Sequence, residues 1–160
     1  MSIHTIDSLV LNAEEYGLLK KSQISGCNDE EIRLILQDQD TEYMPEQVEI
    51  FYRTMGKAAG ELFIGEYILF PDILGKKIGY LKDLENAGSD TDKFRNALVF
   101  LNHHGYQYDL CLLGNGDERT YFYDDEMAVP RVEAADFFEF LDGWIKRIYD
   151  LRTGRLGIYR

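Results

Sequence analysis

The chain has 160 residues, of which 45% are hydrophobic and 13% aromatic: enough apolar material for one domain with a packed core, and too much for a disordered chain. Its 17 basic residues against 29 acidic ones give a formal net charge of -12, which repels phosphate over most of the surface and argues against nucleic acid or an anionic membrane as a direct ligand. The same charge suits a basic protein partner, or serves solubility alone.

The amino-terminal stretch "MSIHTIDSLVLNAEEYG" lacks a basic segment ahead of its apolar positions and does not read as a secretory signal. The longest apolar runs, such as "ALVFL", are too short to cross a bilayer. Cys27 and Cys111 lie far apart with no C-x-x-C pairing, which fits reduced thiols, and the expectation is a cytoplasmic protein without membrane contact.

The first half reads as mostly helical. In "CNDEEIRLIL", Asn28 and Glu31 stand at capping-box spacing, and Ile32, Ile35 and Leu36 then share a helical face that runs to about Gln39. In "MPEQVEIFYRTMG", Pro45 suits a first turn, Val48, Phe51, Tyr52 and Met55 form a stripe, and Gly56 is expected to take a left-handed stop. "GELFIGEYILFPDIL" is more strand-like, and Leu74, Ile78, Leu81 and Leu84 predict a helix ending before Gly88.

From Ala97 the period becomes alternating. Tyr106, Tyr108, Leu110 and Leu112 fall on one face, as do Tyr121 and Tyr123 on a later strand, with "HHG" and "GNGDE" as turns. The final segment, "EAADFFEFLDGWIKRIYDLRTG", is helical again: Phe137, Leu141, Trp144, Ile145 and Ile148 point inward, Asp142 and Lys146 pair outside, and Gly154 ends the helix. Helices, then strands, then a helix predict a single α+β domain built on a mainly antiparallel, twisted β-meander with helices packed around it.

No catalytic, metal or cofactor site is expected. His103 and His104 are neighbours in a turn without further ligands at metal spacing. Asp38 to Glu49 imitates a calcium loop, but Tyr43 stands where the sharp turn needs glycine and Pro45 begins a helix inside the loop. "GNGDER" lacks the third glycine and the Lys-Ser/Thr of a phosphate loop, and no nucleophile is fixed beside a base. What remains is "YFYDDE", where Tyr121 and Tyr123 run into Asp124, Asp125 and Glu126: tyrosines offer rigid contact area and clustered carboxylates offer partners for arginine. A second acidic surface is expected from Asn28 to Glu49, with eight acids against Arg33 alone, beginning with Asp29 and Glu30.

In order and spacing, the chain from about residue 26 to 150 resembles the SUKH superfamily of yeast cell-wall assembly regulators and bacterial immunity proteins. The resemblance lies in Met44-Pro45 opening a helix that closes with Phe51 to Gly56, in the turn Gly105, Tyr106, Gln107, and in a tyrosine-rich strand after Gly116, Asp117 and Glu118. Met44 replaces a leucine of that pattern, and the proline of its later turn is missing. The resemblance implies a noncatalytic domain that binds and neutralises a cognate bacterial toxin, often a nuclease and therefore basic, with no cofactor. The alternative it leaves open is a noncatalytic scaffold or regulatory protein-binding module.

Overall fold

The computed structural model describes residues 4–88 and 92–154, and all structural statements concern these. In chain order they form α1 (Ile6–Glu15), β1 (Ile24–Ser25), α2 (Asp29–Asp38), α3 (Glu46–Met55), β2 (Ala58–Ala59), α4 (Lys76–Asn86), α5 (Asp92–Arg95), β3 (Ala97–His103), β4 (Gln107–Leu112), β5 (Thr120–Asp124), β6 (Arg131–Ala134) and α6 (Phe137–Thr153). Strands β3 to β6 make an antiparallel meander in sequence order, while β1 and β2 pair separately, so the architecture is α+β as expected. No described helix is long and apolar enough to cross a membrane.

Local chemistry sets the helix starts. Asn28 Oδ1 accepts from the Glu31 amide and Glu31 Oε1 accepts from the Asn28 amide, both at 2.9 Å, which is the expected capping box. A second box, Thr5 with Ser8, opens α1, a helix that is not among the elements read from the sequence. The stripe Val48, Phe51, Tyr52 and Met55 is fully inside, and Phe51 packs edge-on to Phe63 and Phe137.

Three expectations need correction. Gly56 is right-handed, with φ -68°; it is needed for space, because a Cβ there would sit 2.5 Å from the Tyr52 carbonyl oxygen and 2.7 Å from the Tyr52 ring. The strand-like segment from Gly60 to Leu74 is mostly turns, joined to the sheet backbone by the bridge between Tyr67 and Asn102; its buried residues Leu62, Phe63, Ile68 and Ile73 follow no alternation. In α4 the inward face is Lys77, Tyr80 and Leu84, and Ile78 stands in solvent, 70% exposed.

The meander is buried on both faces. On one, Leu98, Phe100, Leu101 and Cys111 meet α1, α3 and α6 through Leu9, Phe51, Phe137, Leu141 and Ile145. On the other, Ala97, Val99, Tyr108, Leu110, Leu112, Tyr121 and Tyr123 close over Tyr80 and Leu84 of α4, with Tyr80 edge-on to Tyr108 and Tyr123 at 5.7 and 5.6 Å. A bulge at Phe100, where the register to β4 slips between Val99 and Leu101, turns Phe100 and Leu101 into the same core.

The outer edge of β3 is capped. Gln39, fully buried at the end of α2, donates Nε2 to the Val99 carbonyl at 2.7 Å and accepts the Val99 amide at 3.0 Å, so one side-chain amide acts as a residue of a missing strand. Gln39→Leu therefore orphans two buried backbone groups and is expected to cost about 1–3 kcal/mol for each in urea unfolding. Phe51→Ala is expected to cost about 3–5 kcal/mol. A loss under about 1 kcal/mol for either would show that water or repacking replaces the contact.

Candidate functional site

The structure divides the residues of "YFYDDE". Tyr121 and Tyr123, expected as contact residues, are core: they are 3% and 0% exposed, Tyr121 donating its hydroxyl to Asp117 at 2.6 Å and Tyr123 lying against Tyr80. The reason is the second helical layer, which converts the outward-looking side of the meander into an interior. Tyr106 makes the opposite move. Expected on one face with Tyr108, Leu110 and Leu112, it sits in the β3–β4 turn, 42% exposed, beside His104 and Gly105, which take positive φ.

Asp124, Asp125 and Glu126 turn outward at the end of β5, and with Tyr106 and Gln107 they line a shallow depression of about 380 Å³. Asp124 accepts from the Glu126 amide and from Gln107 Nε2, both at 3.0 Å, and these bonds lower its pKa below the usual carboxylate value. Partial desolvation, with Asp124, Asp83 and Glu126 nearby, raises the pKa of Asp125. None of the three forms an ion pair among the described residues. The result is an acidic tip with one exposed aromatic ring.

The surface around α2 is less open than its sequence suggests, because cations arrive from elsewhere in the chain. Glu30 pairs with Arg33, Asp29 and Glu49 with Arg53 at 2.7 and 2.9 Å, and Glu31 with Lys57 at 2.9 Å. Asp38 accepts from the Gly75 amide at 3.0 Å. Asp40, Glu42 and Glu46 keep their charges without an ion pair among the described residues.

One group absent from the sequence reading is chemically unusual. Asp109 lies in the middle of β4, on the face that packs toward α6, and is 5% exposed. Its Oδ1 is buried without a hydrogen-bond partner, and two further acids, Glu133 and Glu66, line the cleft beside it. Glu133 is the extra residue of a bulge in β6, where the register to β5 slips between Thr120 and Tyr121. Burial first, then Glu133 and Glu66, push the Asp109 carboxyl well above the ordinary aspartate pKa, against a weaker pull from Arg147.

Asp109 and Glu133 line a cleft of about 210 Å³ with Glu66, His103, Trp144 and Arg147, and Ile64 and Leu151 at its rim are 71% and 41% exposed. His103 Nδ1 lies 2.5 and 2.7 Å from the two Glu66 oxygens, which explains the position of the turn histidine. A different cleft, about 290 Å³, opens between the start of α3 and the 113–118 turn, and several of its polar groups are engaged internally: Tyr43 Oη accepts the Gly114 amide, Asp117 holds Arg119 and Tyr121, and Asp136 caps α6. Burial pushes the Cys27 thiol up to about 11 and raises that of Cys111 further, so neither is a reactive thiolate at neutral pH. In comparisons with known proteins the chain matches no family model and no curated protein.

The sign of the Asp109 effect follows from its direction. The folded protein holds a proton there that the unfolded chain releases near the ordinary aspartate value, so stability from this group is highest below that value and declines as pH rises toward the raised one. Asp109→Asn, which keeps the shape and offers Glu133 an amide donor, is expected to raise the melting temperature more at pH 8 than at pH 5 and to flatten the decline. Equal effects at both pH values would mean the carboxyl is already ionised in the fold.

Proposed function

We propose that this chain is a noncatalytic binding protein of the SUKH type, an immunity protein that neutralises a basic toxin in the cytoplasm by protein-protein contact. The observation that carries the reading is the acidic tip: three outward carboxylates without an ion pair among the described residues, beside the exposed ring of Tyr106, on a chain of net charge -12. Exposed acids steer a basic partner to the surface and accelerate encounter, and an aromatic at the centre supplies an anchor once contact is made. Asp40 and Glu42 on the connection from α2 to α3, with Glu46 at the start of α3, supply a second group of acids. Asp29 and Glu30 remain available at its edge, each already sharing an arginine.

The motif order quoted above supports the same reading, and the α+β meander agrees with the architecture that the resemblance implies. The direct experiment is to express the chain with the product of the adjacent reading frame and score both co-purification and rescue of growth. Binding with rescue is expected. Binding without toxicity of the neighbour would indicate a regulatory scaffold, and the absence of binding would remove the neighbour as partner.

Reversal of Asp124, Asp125 and Glu126 to lysine is expected to leave the fold intact, to lower the association rate by about tenfold or more at low salt, and to flatten its dependence on ionic strength. Surface-plasmon kinetics at two salt concentrations measure this. An unchanged rate would exclude the tip as the steering surface.

A further inference from the structure

The Asp109 cleft has a floor, walls and a rim of different chemistry. Its floor is the buried Asp109, its sides carry Glu66, Phe122, Trp144 and the exposed Glu133, and its rim carries the exposed Ile64 and Leu151. Three carboxyl groups line it against Arg147 and His103. At about 210 Å³ it is smaller than the sites that enclose a cofactor or a drug-sized substrate, but it suits a single side chain.

The buried atom at the bottom identifies that side chain. Asp109 Oδ1 lies away from solvent and without a donor, a state that costs free energy until a proton or a cation arrives. Glu133, brought by its bulge onto the same cleft, adds a second carboxyl, and paired carboxylates match the planar fork of a guanidinium better than the point charge of an ammonium. The apolar rim suits the methylene stem of such a side chain, and an indole face beside the head group adds attraction to a cation.

We propose that this cleft is an arginine socket, in which a guanidinium from the basic partner enters beside Trp144 and donates to the carboxyl groups of Asp109 and Glu133. Both carboxylates then act as acceptors, the proton held at Asp109 leaves to solvent, and no bond between heavy atoms changes. The groups that set the pH response are Glu133 on β6, Glu66 in the turn segment before α4, His103 on β3 and Arg147 on α6. The socket rests on the reading of the chain as a binder of basic proteins, and it defines one anchor point of that contact.

Trp144 is the single tryptophan of the chain and lines the cleft, so its fluorescence reports occupancy directly. The probe is L-arginine amide, titrated at constant ionic strength, with the uncharged isostere citrulline amide and with lysine amide as comparisons. A saturable change in Trp144 emission is expected with arginine amide, at least about tenfold weaker with lysine amide, and absent with citrulline amide. Calorimetry in two buffers of different ionisation enthalpy should show protons released on binding. Asp109→Asn and Glu133→Gln should each weaken binding by about tenfold or more, and the second variant alters an exposed residue, so the fold is not at stake. No saturable change, equal binding of citrulline amide, or unaltered binding by both variants would overturn the socket.

The two readings fail separately. Loss of probe binding with retained co-purification of the neighbouring protein would sink the socket and leave the binding function. Probe binding that depends on Asp109, with no protein captured, would keep the socket and sink the proposed partner.

Discussion

The constraint on which the structure depends is that one four-stranded meander is covered on both faces. An antiparallel sheet often leaves one side to water; here α4 seals the second side over a layer of tyrosines, while α1, α3 and α6 pack the first. Aromatic rings that would otherwise face solvent become interior, and their hydroxyls must then find partners. Tyr80 reaches the Phe94 carbonyl, Tyr108 reaches Asp83 and the Gly105 carbonyl, and Tyr121 reaches Asp117. Recognition is pushed to the strand ends and turns, where Tyr106 and the Asp124–Glu126 acids stand.

The same constraint makes the irregularities informative. The bulge at Phe100 allows two successive large residues into one core, and the Gln39 amide completes the hydrogen bonding of the edge beside it. The bulge at Glu133 has no such packing use. It adds a carboxyl to the cleft over Asp109, whose buried Oδ1 has no donor, and a local cost of that kind is what a binding site exhibits.

Much of the fold was legible because local rules and tertiary packing agree. The Asn28 capping box, the α3 stripe, the turns at His103–Gly105 and Gly114–Glu118, and the inward α6 face all stand where the residue pattern placed them; the Asp142–Lys146 pair forms at 2.7 Å, but Asp142, expected outside, is buried. Failures came where packing overrides pattern. Period-two alternation assigns Tyr121 and Tyr123 to one side of a strand but cannot say that a helix will cover that side. For the segment from Gly60 to Leu74, composition favoured a strand while burial came at irregular spacing. The importance of Asp109 was hidden because a lone acid between Tyr108 and Leu110 reads as an ordinary polar position; only the layer of α6 above it makes it interior. A signal was nevertheless present: strict alternation from Tyr108 to Leu112 puts Asp109 and Cys111 on one face, and a thiol is among the most buried side chains.

The acidic tip, the partly neutralised α2 surface and the Asp109 cleft together describe a protein that meets a cation in stages, first by long-range attraction and then by a buried contact. The buried carboxyl is the stage that no ordinary soluble surface would provide, and its protonation state is the most direct test. Carbon-13 NMR of the Asp109 side-chain carboxyl, followed through a pH titration of the folded protein, should show it still protonated well above the ordinary aspartate range. A midpoint in the ordinary aspartate range would contradict the account, because the cleft would then hold a solvated carboxylate with nothing for an arginine to displace.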